Sequence, residues 1–360
     1  MRHGSTRHGR GRLAALAAIA AAAAILLTAC GGGSSSAGGT AATGSVEFTA
    51  FGGSGQQAEA SAWLTPFAKS TGVTVTQDSP TDYAKVQQMA KSGHGIWDIV
   101  EGGADYGLSG NATLANIDCK VVDCSAFTGS FKVYPQGVPL FVFSYTLAYN
   151  TTAYKTSPPT SFADLFNTKK FPGKRDVDGA DNLVGLIEAA LIADGVPSNK
   201  LYPLDLNRAF KKLDTIRSSL VFYQDAQQCI SDVASGNAVM GMCYNGRVTL
   251  AQQQGEPIAQ TWGQQIQFCD YLFIPKDAPD PANAQKLIAY ITSAAHNGDI
   301  SKDIAYSPAN PGANPNGKYA ADVPTKHEET GANAPIVPDL VWWSQHQPSL
   351  DEKISAWLSS

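Results

Sequence analysis

From residue 45 onward, short apolar runs alternate with stretches whose apolar positions recur at helical spacing. Residues 46–51 read as a strand, broken by Gly52-Gly53-Ser54-Gly55. Residues 56–70 then set Ala60, Trp63, Leu64 and Phe67 on one helical face, and Gly72 closes the helix. A strand over 73–77, a helix over 83–91 and a strand over 97–100 follow, the last running into Glu101-Gly102-Gly103-Ala104-Asp105-Tyr106. Strand, turn, helix, strand is the βαβ unit of a parallel sheet, whose loops gather at the carboxyl ends of the strands and face a cleft. Residues 137–150 form an apolar run too long for one short core strand and suited to a crossing between two halves.

Beyond that crossing the alternation resumes. Helices are predicted over 161–167, 183–191, 206–218 and 227–235, with a short strand after Phe171-Pro172-Gly173-Lys174-Arg175 and further strands over 220–223 and 238–244. A strand over 271–275, a helix over 282–293 and a second crossing near 304–308 return the chain. Residues 311–338, rich in Pro, Asn, Gly and Ala, read as a surface excursion. The last stretch brings Trp342, Trp343, Ile354, Trp357 and Leu358 in helical steps around Pro348, a helix expected to dock on the second half. Its Asp339, Asp351 and Glu352 against Lys353 are the wrong balance for a helix on anionic lipid.

The first 44 residues have a different character. Arg2, Arg7, Arg10 and Arg12 precede an alanine-rich apolar run over 13–27, the order of a secretory signal, and the run is too short to span a bilayer. Leu27-Thr28-Ala29-Cys30 resembles a bacterial lipobox, which implies cleavage after residue 29 and lipidation of Cys30. Residues 30–44 are nearly all Gly, Ser, Ala and Thr and form a flexible tether. Loss of the signal takes four arginines from 26 basic residues and leaves 22 against 31 acids, about nine negative charges, which makes nucleic acid an unsuitable partner. About 315 residues remain after the tether, enough for two lobes. The lobes are placed at 45–142 plus 272–306 and at 143–271 plus 307–360.

An extracytoplasmic location permits disulfides. Cys119 and Cys124 flank a short loop and suit a local bridge. Cys229, Cys243 and Cys269 leave one thiol over. Spacing does not assign the pair, but topology favours Cys229 with Cys243, since one opens a helix and the other ends the following strand at the same sheet edge. No C-x-x-C pair supports a metal site, and no cofactor is expected. The Gly52–Gly55 turn does not match G-x-G-x-x-G and lacks the Lys and Ser/Thr of a P-loop. Beyond the signal, His94, His296, His327 and His346 are widely separated, with no H-E-x-x-H, G-x-S-x-G or S-x-x-K. A lipid-anchored hydrolase is therefore the weaker class, and a binding protein that performs no chemistry the stronger.

Several stretches together carry a resemblance: Phe51-Gly-Gly-Ser with Phe67-Ala-Lys-Ser-Thr-Gly-Val-Thr-Val, Trp97-Asp-Ile-Val, Phe171-Pro-Gly-Lys-Arg and Leu201-Tyr-Pro-Leu-Asp-Leu-Asn-Arg-Ala-Phe-Lys-Lys-Leu. Gly241-Met-Cys-Tyr-Asn-Gly-Arg, Asp270-Tyr-Leu-Phe-Ile-Pro-Lys-Asp-Ala-Pro and Tyr306-Ser-Pro-Ala-Asn-Pro complete the set. In order and spacing, over 46–358, the chain resembles an ABC-importer solute-binding protein of the spermidine/putrescine-binding type. The resemblance implies an α/β, two-lobed periplasmic-binding-protein-like fold with a mixed sheet in each lobe and hinge crossovers. It also implies a monomer that closes on a small amine-containing solute and delivers it to a membrane permease.

Carried over by position, the resemblance implies ligand contacts from Tyr106, Tyr244, Phe268, Asp270 and Tyr306, with Ser54 of the first Gly-rich turn. Aromatic faces and a carboxylate are what a flexible ammonium requires. The family's pair of acids on the turn opening a second-lobe helix corresponds to Asp181, Asn182 and Gly185, so one acid is kept and the other missing. Arg247, three residues past Tyr244, would repel a second ammonium or clamp a carboxylate or phosphonate. Diamines, zwitterionic amines and amino acid derivatives all remain open as solutes.

Overall fold

The computed structural model describes residues 44–107, 110–179 and 183–359. The expected signal 1–29, Cys30, the tether up to residue 43, and Asp181 lie outside the described residues.

Among the described residues, nine strands form one mixed sheet: β1 (Ser45–Thr49), β2 (Thr74–Asp78), β3 (Ile99–Gly103), β4 (Val138–Asn150), β5 (Arg175–Asp178), β6 (Leu220–Tyr223), β7 (Met240–Tyr244), β8 (Ile258–Phe273) and β9 (Ser307–Pro308). The spatial order is β2-β1-β3-β8-β4-β7-β5-β6, with β9 on β4. β1 pairs in parallel with β2 and β3, and β5 in parallel with β6 and β7. These two parallel triplets are joined by the long antiparallel pair β4 and β8, which runs through both halves. The sheets expected for two lobes are thus continuous through β4 and β8.

β4 is buried at 12 of its 13 positions, which explains its unbroken apolar run: it has a covered face on both sides for its whole length. β8 is the element that the hydrophobic pattern concealed. Only its end was expected, at 271–275, and a crossing was expected at 304–308; instead the second crossing is β8 itself, and β9 contributes two residues. The reason is local. Between the pairs Tyr145↔Ile266 and Leu147↔Thr261, residues 262–265 bulge out of register, and Gln264 takes φ 64. A Cβ on Gly263 would lie 2.6 Å from the Thr160 carbonyl, so that position accepts only glycine without rearrangement. The bulge and the polar run Gln260, Gln264, Gln265 and Gln267 erase the period-two signal.

Helices follow the expected periodicity more closely. The first extends from Gly53 to Thr71 and passes through a π turn at Ala60–Leu64. Pro66 has no N–H to return to Ala62, so the looser turn falls where an α-helical bond is lost in any case. Gly72, in the left-handed region at φ 78, closes the helix as expected. In the second half the terminal helix Leu340–Ser359 buries Trp343, Leu350, Ile354 and Trp357 in one core with Leu186, Ile187, Leu213 and Val177. The excursion before it lies along β8, where Ile336 exchanges backbone bonds of 3.0 and 2.8 Å with Gln265 and Gln267. Disulfides join Cys119 to Cys124 and Cys229 to Cys243, and Cys269 is a buried free thiol.

Candidate functional site

Register places the chemistry. Gly103 of β3 and Phe141 of β4 both lie opposite Asp270 of β8, Phe143 lies opposite Phe268, and Tyr145 opposite Tyr244. Since alternate residues share a face, Glu101, Asp270, Phe268, Phe141, Phe143 and Tyr145 project together. They line one cavity of about 830 Å³ between the sheet halves, closed at its sides by Phe51, Gln56, Glu59, Tyr83, Arg247, Tyr306 and, farther along, Asp178, Asp225 and Trp343. Large apolar walls with a few convergent polar groups are the usual make-up of a ligand cleft.

The aromatic wall is centred on Phe143, whose ring lies 5.3 Å from Tyr244, 5.7 Å from Phe268 and 5.9 Å from Tyr306. Tyr306 also stacks on Phe141 at 4.8 Å. Tyr145 donates a hydrogen bond of 2.5 Å to Asp178 and shares one of 2.8 Å with the Tyr244 hydroxyl. Gly185 closes this corner: at φ 87, a Cβ there would come within 3.0 Å of the Tyr145 ring. A side chain at that position would be strained at this φ and would crowd the Tyr145 ring.

The opposite end is charged. Glu59 and Glu101 are 1% and 3% exposed, and the charges of Glu59, Glu101, Asp270 and Arg247 are all felt at the buried Tyr306 hydroxyl. Burial raises the Glu59 carboxyl well above its usual range, and the neighbouring Glu101 carboxyl and the charge of Asp270 add to the rise. Burial raises Glu101 as well, while hydrogen bonds from Asp270, Glu59 and the Phe51 N–H oppose the rise, and Arg247 draws it down. Arg247 leaves the first turn of the helix Asn245–Gln253 and donates to Ser54 Oγ at 3.3 Å, reaching across to the first helix. Its base is held by the fully buried Asn245, which accepts from the Ser144 N–H at 2.9 Å and donates to the Ala305 carbonyl at 2.6 Å. Among the described residues, no group of three or more His, Cys, Asp or Glu side chains is placed to hold a metal ion.

The structure brings together Tyr244, Arg247, Phe268, Asp270 and Tyr306 in the cavity lining, with Ser54 one hydrogen bond behind Arg247. Tyr106 is placed elsewhere. Its ring stacks at 4.0 Å on Tyr83, which does line the cavity, and its hydroxyl pairs with Thr113 at 3.1 Å, so it backs the wall without forming it. Sequence reasoning missed Glu59, Glu101, Phe143, Tyr145 and Asp178. Glu59 carried a signal: it lies three and four residues before Ala62 and Trp63, on the helix stripe that has to be buried.

A cleft between two halves of an α/β sheet, with an aromatic wall and a charged end, defines a solute-binding protein. The chain belongs to the bacterial extracellular solute-binding protein family, whose model matches residues 62–326. It is 30% identical over 337 residues, 88% of this chain and 92% of the relative, to the gamma-aminobutyric acid-binding protein of Pseudomonas aeruginosa. With spermidine/putrescine-binding periplasmic protein 1 of Haemophilus influenzae it shares 26% identity over 266 residues, 69% of this chain and 71% of the relative. The solved structure of the Atu4243–GABA receptor matches 87% of this chain and 97% of its own, with 36% identity and a TM-score of 0.79. The fold is therefore that of the two-lobed solute-binding proteins, and the chain is the solute-binding component of an ABC transporter.

Proposed function

We propose that the solute is a zwitterionic amine of the γ-aminobutyric acid type, held with its ammonium at Asp270 and the aromatic wall and its carboxylate at Arg247. The observation that carries this reading is Arg247 in the same cavity as Asp270. A guanidinium offers a forked pair of donors to a carboxylate, and a diamine would have to tolerate that positive charge. Phe143, Tyr244, Phe268 and Tyr306 supply the ring faces and apolar bulk for the methylene chain and ammonium. The relatives named for γ-aminobutyric acid support the same choice. The lobes, 45–142 plus 272–306 and 143–271 plus 307–360, close on the solute about β4 and β8, and the protein acts as a monomer lipidated at Cys30 on the outer face of the membrane.

A second reading, a diamine, is favoured by one observation: Glu59, Glu101, Asp105, Asp178, Asp225 and Asp270 line the cavity against one arginine. Thermal unfolding with γ-aminobutyric acid, shorter and longer ω-amino acids, putrescine and spermidine separates the two. At 100 times the dissociation constant a ligand adds roughly 2.7 kcal/mol to stability. A rise with the ω-amino acids supports the zwitterion; a rise with polyamines alone replaces it by the diamine.

A further inference from the structure

The charge at the acidic end of the cleft does not balance if every carboxyl is ionised. Glu59, Glu101, Asp270 and Arg247 line the same cavity; the Glu59 carboxyl neighbours Glu101, Glu101 neighbours Asp270, and Arg247 draws on Glu101. Glu59 Oε2 is buried and has no hydrogen-bond partner, although the side chain lines the cavity. Two adjacent buried carboxylates repel unless one carries a proton. On two elements packed against this helix, the charged groups pair with one another. On the helix Pro281–Thr292 and the turn Asn297–Lys302, Tyr290 stacks on His296 at 4.0 Å, while Asp299 pairs with Lys302 at 2.8 Å and with His296 at 3.6 Å.

We infer that Glu59 is a specificity residue that acts through its proton: protonated, it donates to Glu101 and takes one negative charge away from the acidic end of the cleft, which favours a zwitterion over a diamine. Were Glu59 ionised, another negative charge would sit behind Glu101, Arg247 would be drawn into neutralising it, and a second ammonium would become the better guest. The proton on Glu59 thus keeps Arg247 available for a solute carboxylate. This rests on the proposed zwitterionic solute and names the residue that selects it over a diamine.

The test is calorimetric binding of γ-aminobutyric acid and of putrescine between about pH 5 and pH 9, below the ~10.4 at which an alkyl ammonium loses its own proton. It uses the wild-type protein and Glu59→Gln, in which the amide copies the protonated acid as donor to Glu101. In the wild type the preference for the zwitterion over the diamine should fall at least tenfold toward the alkaline end; in Glu59→Gln it should stay high and flat. A wild-type preference independent of pH, or a pH dependence that survives in Glu59→Gln, overturns the inference. Carbon-13 carboxyl titration of the ligand-free protein reads the proton directly: one glutamate signal should titrate well above the usual range and be absent from Glu59→Gln. If all glutamates titrate normally the inference fails whichever solute binds. If the glutamate titrates high but γ-aminobutyric acid does not bind, the zwitterion reading fails instead.

Discussion

Two buried glutamates, one in each half of the molecule, have opposite surroundings. Glu188, fully buried in the second-half core, accepts from the Gly185 N–H at 2.7 Å, the Tyr202 hydroxyl at 2.5 Å and Trp343 Nε1 at 2.8 Å. Burial raises its carboxyl, and those donors pull it back. Glu59 in the first half has an unpartnered oxygen, acidic neighbours and a cavity in front of it. A buried carboxylate that has collected its donors is holding the fold together; one that has not, and that faces a cleft, is waiting for something from outside.

The difference can be broken by mutation. Glu188→Ala should have the largest effect on stability, because it orphans three buried donors that tie the helix Leu186–Ala193 to Tyr202 and the terminal helix, at about 1–3 kcal/mol each. Chemical denaturation should show a loss of ~3 kcal/mol or more. Glu59→Gln should leave the denaturation midpoint unchanged or higher; an equal loss in both variants would mean that Glu59 is structural too.

Asp176 is a third buried acid without a hydrogen-bonded side-chain donor, and it does not line the cavity. It is fully buried on β5, neither carboxyl oxygen has a hydrogen-bond partner, and burial followed by the charge of Asp232 raises it to about 7. Between the ordinary 3.8 and that value, the folded protein keeps a proton that the unfolded chain has lost, so stability falls as pH rises through this window and levels off above it. Asp176→Asn removes the falling term, and its advantage over wild type should grow with pH to the order of a few kcal/mol above neutrality. Urea denaturation at pH 5 and pH 8 checks it; a constant difference between the two would contradict the assignment. A smaller loss than that of Glu188→Ala is expected from Trp343→Phe, which removes one donor from Glu188 while keeping most of the ring, at about 1 kcal/mol.

Much of the frame was legible before the structure. β4 announced itself because a strand covered on both faces is apolar throughout, and the terminal helix because Trp343, Ile354 and Trp357 recur at helical spacing. β8 did not, since its glutamines and the bulge at 262–265 break the alternation. Of the cavity lining, Asp270, Tyr244, Phe268 and Tyr306 were legible from a resemblance of motifs, which supplies positions, and Arg247 from its place three residues past Tyr244. Glu59 and Glu101 were not, since their meaning depends on a helix and a strand about 40 residues apart being packed side by side. Tyr106, a contact that the resemblance implies, turns its ring to Tyr83 and Phe273.

In the proposed complex Arg247 and Asp270 divide one zwitterion between them. Titration calorimetry of γ-aminobutyric acid and putrescine against the wild-type protein and Arg247→Ala measures that division. Losing one partner of a desolvated charge pair costs about 2–5 kcal/mol. Arg247→Ala should therefore bind γ-aminobutyric acid ~30-fold or more weakly, and putrescine as well as or better than wild type does. Undiminished binding of γ-aminobutyric acid by Arg247→Ala, or a wild-type preference for putrescine at neutral pH, would contradict it.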